Sequence, residues 1–315
     1  MIHLINRLPT LGICLVLTSQ WIAYGQACCS SGTPLLSFAE LGTTRPSTIQ
    51  FNIGYEYNYL NSVFNGSAEY LNDARRQRRV HSLLFETSYG ISSRLSITTL
   101  LSFTQRERQS VLLETGTPEI VQTRGVSDAI LLVKYALLTS TIVSQQELSI
   151  GSGITMPFGS IGAELNGIKL PSDMQLGSGA WDGILLLVGS SGFHPFPLTL
   201  FGSLSDRLTT KNADGYRFGN EFLAILGASY SFASWIDLTL SSRFRHTGVD
   251  RFQDQEVPNT GGDWLYLVPG INVTPWRSVT LRAHLDLPVY RNLEGSQLTT
   301  TYVTGLNLFY SINLE

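Results

Sequence analysis

Apolar and polar residues alternate with a period of two along most of the chain beyond residue 47, the pattern of strands that each present one greasy and one wet face. From Ile49, positions Ile49, Phe51, Ile53, Tyr55, Tyr57 and Tyr59 fall on one side, while Gln50, Asn52, Gly54, Glu56 and Asn58 fall on the other. Leu95, Ile97, Thr99, Leu101 and Phe103 oppose Ser96, Thr98, Leu100, Ser102 and Thr104, and Ile236, Leu238, Leu240 and Phe244 oppose Asp237, Thr239, Ser241, Arg243 and Arg245. The separation is sharpest where Val279, Leu281, Ala283, Leu285, Leu287 and Val289 interleave with Thr280, Arg282, His284, Asp286, Pro288 and Tyr290. A last run sets Leu306, Leu308, Tyr310, Ile312 and Leu314 against Asn307, Phe309, Ser311 and Asn313. Weaker runs at 80–89, 126–139, 146–158, 179–192, 196–209, 217–233 and 263–275 bring the total to about twelve strands. Some have mixed faces, as where Ile184, Leu186 and Val188 share a side with Asp182.

Links between the runs alternate in length. Long polar links at 60–78, 106–125, 159–178, 210–216, 250–262 and 291–298 are separated by short ones near Gly90 to Ser93, Thr139 to Gln145, Phe193 to Pro195, Ser234 to Trp235 and Pro275 to Arg277. Outer-membrane barrels have short periplasmic turns and longer outside loops. A soluble sandwich or propeller gives no reason for that alternation, and would carry charge on its outer face. The expected fold is therefore all-β, a transmembrane antiparallel up-and-down β-barrel of about twelve strands over residues 47–315, both ends periplasmic, in the outer membrane of a Gram-negative bacterium.

Composition agrees. Only 14% of the 315 residues are charged and 43% are hydrophobic, where soluble domains carry about 25% charge, so much of the surface is not kept in water by charge. With 21 Lys+Arg against 24 Asp+Glu the chain lacks the basic surplus of a nucleic-acid binder and the high net charge of a disordered one. Residues 1–27, with Arg7, an apolar run from Leu8 to Leu17 and small residues before Cys28, have the shape of an export signal. Residues 28–46 then form a periplasmic tail or a plug that opens with the pair Cys28 and Cys29. Those thiols could bind a soft metal, bridge to another chain or carry a lipid. Two ligands are short of the four of a structural zinc, and no cofactor site is evident.

The stretch from Gly153 to Ser160 (GITMPFGS), followed by Leu170 to Leu186 (LPSDMQLGSGAWDGILL), resembles the outer-membrane transporters grouped with the phenol meta-degradation pathway (the MetA-pathway family). Pro157, Gly159, Leu176, Gly177, Gly179 and Asp182 carry the match, over two strands and a loop. The resemblance implies a barrel that admits small molecules, often hydrophobic or aromatic ones. Glycines at those positions suit tight packing at a strand end whatever the solute. Gly305, Leu308 and Tyr310 likewise resemble the terminal signal read by the outer-membrane assembly machinery, although Leu314 and Glu315 replace the usual final phenylalanine.

About twelve strands give an interior wider than a filled eight-strand barrel and narrower than a sixteen-strand porin. The expected lumen-facing charges are Glu56, Glu86, Asp128, Glu147, Asp182, Glu221, Asp237 and Asp286 against Lys134, Arg207, Arg243, Arg245 and Arg282, with His284 among them. They can line a restricted polar pore, with weak anion exclusion from the acidic excess, or pair across the lumen and close it. Arg75, Arg76, Arg78 and Arg79 in the first long link are either a lipid-phosphate site, since guanidinium grips phosphate bidentately, or a solvated loop. The expected partners are outer-membrane lipids, the assembly machinery and a small-molecule solute. The leading function is passive passage of small molecules. A non-conducting structural or adhesive barrel follows, and an outer-membrane lipase comes last. His81 and His246 lie on the apolar register without an evident serine, His194 sits in a turn, and neither a G-x-S-x-G nor an H-E-x-x-H motif occurs, so no catalytic residue is assigned.

Overall fold

The computed structural model describes residues 42–70, 76–111, 117–140, 145–193 and 195–314. The expected export signal, Cys28, Cys29, Arg75 and His194 lie outside the described residues. The main strands are β1 (Thr48–Gly66), β2 (Gln77–Gly90), β3 (Leu95–Val111), β4 (Pro118–Val126), β5 (Ala129–Leu138), β6 (Gln146–Met156), β7 (Asp182–Gly192), β8 (Leu198–Leu208), β9 (Glu221–Ala233), β10 (Ile236–Thr247), β11 (Gly262–Trp276) and β12 (Val279–Asn313). Each pairs antiparallel with its neighbours, and β12 returns to β1, so the sheet closes on itself.

Two elements need separate reading. β4 pairs with the outer half of β3 and β5 with its inner half, so β4 and β5 together make one pass, interrupted at Ser127 and Asp128. β12 makes two passes. Residues 279–293 pair with β11 and residues 296–313 with β1, Gly295 takes a positive φ of 76° between them, and the Ser311 N–H donates to the Ser278 carbonyl at 2.9 Å. The wall is thus crossed twelve times, as the alternation of the sequence predicts.

The alternation also assigns the faces. Phe51, Ile53, Tyr55, Leu101, Phe103, Leu240, Leu281 and Leu308 are exposed around the outside, while Asn52, Glu56, Glu86, Ser96, Thr98 and Asp286 are buried within. A closed ring leaves no unpaired edge in hydrocarbon, so an apolar outer band on such a ring is a membrane-spanning surface. Among the described residues no helix is long and apolar enough to span. Phe196, Phe232, Trp235 and Trp276 stand exposed at the short-turn end. Tyr57, Tyr59 and Tyr302 cluster toward the long-link end, with ring centroids 5.6–6.5 Å apart. These are the aromatic belts expected at the two interfaces.

Three expectations need correction. The link at 106–125 is mostly strand: β3 runs on to Val111 and β4 begins at Pro118, with outward Gln122 and Arg124 hiding the period because they rise above the apolar band. The link at 291–298 lies within β12 and turns tightly at Gly295. The interior, moreover, is not uniformly polar. Leu84, Leu100, Ile130, Leu132, Ile184, Leu186, Val188, Leu223 and Ile225 form one buried cluster, so one side of the lumen is packed with apolar side chains.

Candidate functional site

The interior reads from the outside inward as a vestibule, a plug, a packed and partly polar lumen, and a mouth. The plug is the long link between β6 and β7, which folds into the barrel instead of standing in solvent. It carries a small hairpin (Glu164–Leu165 with Ile168–Lys169) and a 3-10 turn, Ser172–Met174. Asp173, Met174, Gln175, Leu176, Gly177, Ser178 and Ala180 are all buried. Burying this much backbone requires partners, and the wall supplies them. Arg78 pairs with the Asp173 carboxylate, and Arg106 donates to the carbonyls of Asp173 and Gln175. The Thr123 hydroxyl donates to the Met174 carbonyl at 2.8 Å. Met174 is fully buried against Val121 and Leu170.

At the break between β4 and β5, Asp128 accepts the Gly159 N–H at 3.0 Å, the Ser178 N–H at 2.7 Å and the Ser178 hydroxyl at 2.8 Å. The glycines that carry the family resemblance explain themselves here. A methyl group on Gly159 would lie 2.6 Å from the Gly177 backbone, and one on Gly177 would lie 2.4 Å from the Asp128 carboxylate. Gly179 takes a positive φ of 69°, and Asp182 accepts two bonds from Arg207, at 3.0 and 2.6 Å. The motif stitches the two ends of the plug to each other and to the wall.

Below the plug, the expected lumen charges mostly pair. Arg243 pairs with Asp286 and Arg245 with Glu221, the latter at 2.6 Å. Asn52 donates to Glu86, and the buried Lys134 donates to the Gly42 carbonyl at 2.8 Å. Arg282 donates to Asn272 and lies over the Phe309 ring at 5.4 Å. Glu56, Arg243, Arg282, His284, Asn307 and Ser241 are among the residues around a polar cavity of about 180 Å³. His284 sits across Gly305, where it leaves no space for a side chain. Asp237 and Glu147 keep the inward register at the short-turn end, Asp237 accepting a bond from Ser231 at 2.6 Å and Glu147 lying beside Gly42.

The arginines of the first link separate. Arg78 turns inward with no exposed surface, which removes it from a lipid-facing set; Arg79 faces outward beside Glu107 at 2.9 Å. Arg76 is part-buried where β2 begins. Of the outward histidines, His81 meets the Tyr55 hydroxyl at 2.8 Å and His246 meets Asp263 at 2.7 Å.

The vestibule lies above the plug, a cavity of about 860 Å³ between the links 157–181, 209–220 and 248–261. Its apolar lining includes Leu170, Pro171, Tyr216, Phe218, Phe252 and Val257. Tyr216 and Phe218 meet edge to face at 4.9 Å. Lys169 and Asp214 bridge exposed at 2.5 Å, as do Lys211 and Asp254 at 2.7 Å, whose pairing draws the Asp254 carboxyl below its usual range. Asp250 joins two of the links. It accepts the Tyr216 hydroxyl at 2.6 Å and the Gly219 N–H at 2.8 Å, and its own N–H donates to Thr260 at 3.0 Å. Burial pushes the Asp250 carboxyl up despite these bonds, and burial together with the adjacent carboxylate pushes the Tyr216 phenol up. Sequence reasoning missed Asp173, Arg106, Tyr216 and Asp250. The one available signal was the run of large aromatics, Tyr216, Phe218 and Phe252, in links that otherwise read as solvated.

A closed ring, an apolar belt and an occupied interior define an outer-membrane β-barrel. No family model matches the chain, and no curated protein matches it. Among solved structures, an outer-membrane channel from Pseudomonas putida F1 is similar in fold, with a TM-score of 0.67 at 14% identity over 89% of this chain and 99% of that one. The P. putida toluene transporter TodX (TM-score 0.40, 10% identity, 90% of this chain and 99% of that one) and the Ralstonia pickettii toluene transporter TbuX (0.40, 9%, 90% and 99%) lie much further off.

Proposed function

We propose that the protein is a passive outer-membrane channel for small molecules, apolar and aromatic ones among them, in which the link between β6 and β7 is the constriction. The supporting observation is the vertical order of the interior: an aromatic-lined vestibule opening outward, a plug held by side chains and not by strand pairing, and a lumen with one apolar and one polar side. A purely structural barrel has no use for a cavity of about 860 Å³ roofed by three links, which falls in the size range of small-molecule sites. The residues that resemble the phenol meta-degradation transporters sit at the base of the plug, and kinship with that group is proposed on this resemblance alone. Four interior ion pairs, Arg78–Asp173, Arg207–Asp182, Arg243–Asp286 and Arg245–Glu221, neutralise charges of both signs one for one, so the channel is expected to discriminate weakly by charge.

Purified, heat-modifiable protein reconstituted in planar bilayers tests the reading: discrete conductance steps are expected. A folded barrel that stays silent at all voltages, and does not speed entry of toluene into vesicles, would overturn it in favour of a non-conducting role. Of the first-link arginines we propose Arg79, which faces outward, as the lipid-phosphate site, checked by loss of co-purified lipopolysaccharide in Arg79→Ala.

A further inference from the structure

The vestibule and the plug meet at one buried side chain. Tyr216 is 8% exposed; its ring lines the vestibule beside Phe218 and Phe252, while its hydroxyl donates to Asp250. Its N–H donates to the Asn212 side-chain oxygen at 3.0 Å, the Asn212 amide donates to the Ser178 carbonyl of the plug at 2.8 Å, and Ser172 lines the same cavity. Ser172 opens the 3-10 turn of the plug, and the next residue, Asp173, is the one that Arg78 holds to the wall. Three links from different parts of the chain therefore meet at one residue, Tyr216: its hydroxyl holds Asp250, and its backbone holds Asn212, which holds the plug.

We propose that the vestibule is a receptor site for a compact aromatic solute, and that Tyr216 passes its occupancy to the plug, so that the solute opens its own path. The inference rests on the channel reading above and adds to it a binding site and a means of regulation. The class follows from the lining. Three aromatic rings and two prolines, Pro171 and Pro258, surround the space, and the ion pairs Lys169–Asp214 and Lys211–Asp254 are exposed where the links meet solvent. Flat apolar rings pack on such walls by offset or edge contacts, and a single hydroxyl can be met by Ser172 or Gln255. A charged or sugar-like solute would have to shed its water against rings.

The coupling follows from geometry. A ring wedged between Phe218 and Phe252 cannot leave Tyr216 where it stands, because Tyr216 contacts both, with centroids 4.9 and 6.5 Å away. Moving it withdraws the hydroxyl from Asp250 and disturbs Asn212, whose amide holds the plug at the Ser178 carbonyl. A ligand shifts such an equilibrium only by binding the displaced arrangement better, and a vestibule widened by Tyr216's departure offers that difference.

The test uses the full chain in planar bilayers, with p-cresol as the probe on the long-link side, and Phe252→Trp as a fluorescent reporter of occupancy in nanodiscs. In the wild type, p-cresol is expected to raise open probability several-fold over the concentration range in which the reporter responds. Tyr216→Phe keeps the ring but removes the hydroxyl. It is expected to open several-fold more often without p-cresol, and to gain little on its addition, while the reporter still responds in the double variant. Tyr216→Phe behaving as the wild type in both respects, or a reporter that saturates with no change in opening, would overturn the gating. A reporter blind to p-cresol would overturn the receptor site. In either case channels that still conduct leave the channel reading standing, whereas a folded protein silent under every condition removes both.

Discussion

Replacing Asp173 by alanine takes away the carboxylate that neutralises Arg78, a guanidinium with no exposed surface. Breaking a buried pair by removing one partner costs about 3–5 kcal/mol, mainly because the survivor stays charged and desolvated. In this barrel the cost falls on one equilibrium, the docking of the plug, since Arg78 lies in a strand paired on both sides and cannot leave. At about 1.4 kcal/mol per tenfold change, the undocked fraction rises by roughly two to three and a half orders of magnitude. Arg106, Thr123 and Asp128 still hold the plug, so the barrel itself should assemble. Single-channel recording is the assay: Asp173→Ala is expected to show frequent wide openings that are rare in the wild type, and the swap of Arg78→Asp with Asp173→Arg should bring the rate back down. Correctly folded Asp173→Ala with wild-type conductance would refute the assignment of the plug as the constriction.

Three further outcomes are expected of the same molecule. Because burial raises the folded pKa of Asp250 above that of an unfolded carboxyl, its stabilising contribution is complete below the ordinary carboxylate range and is lost as pH rises through the raised value. Closure should therefore tighten on acidification, and Asp250→Asn should flatten that dependence in conductance measured against pH. Gly159→Ala forces a methyl group onto the Gly177 backbone; overpacking of this kind costs about 1–3 kcal/mol, and limited proteolysis should cut within 157–181 sooner than in the wild type. Leu240→Arg puts a charge on the exposed outer face, where a midplane arginine costs about 2–4 kcal/mol; urea titration of folding into lipid vesicles should show a loss of that size.

The wall was legible because hydrocarbon outside and a crowded interior impose opposite demands on successive residues, and the demand repeats twelve times. Glu56, Glu86, Lys134, Asp182, Arg207, Arg243, His284 and Asp286 could be turned inward from register alone. Their pairing could not, since which carboxylate meets which guanidinium depends on stagger around the ring: Arg243 finds Asp286 across β11 and Arg245 finds Glu221 on β9. The plug was invisible for a different reason. Residues 157–181 obey no period, and Asp173 reads as one more loop carboxylate until Arg78, 95 positions earlier, is placed over it. Arg78 itself was grouped with its neighbours in sequence, whereas the strand sends it to the opposite face from Arg79. The polar outward residues of β4 disguised a strand that rises clear of the membrane.

The seam where residues 296–313 meet β1 joins Thr48 to Asn313, the two extremities of the barrel sequence. Until the final hairpin arrives, both edges of the curled sheet offer a row of open donors and acceptors to any passing strand. The polypeptide therefore has to be escorted in an unfinished, adhesive form for nearly its whole length, and a premature stop a few dozen residues early would leave a sheet that cannot seal. Shelter during delivery is thus a demand made by the topology itself, whatever the finished vessel goes on to carry.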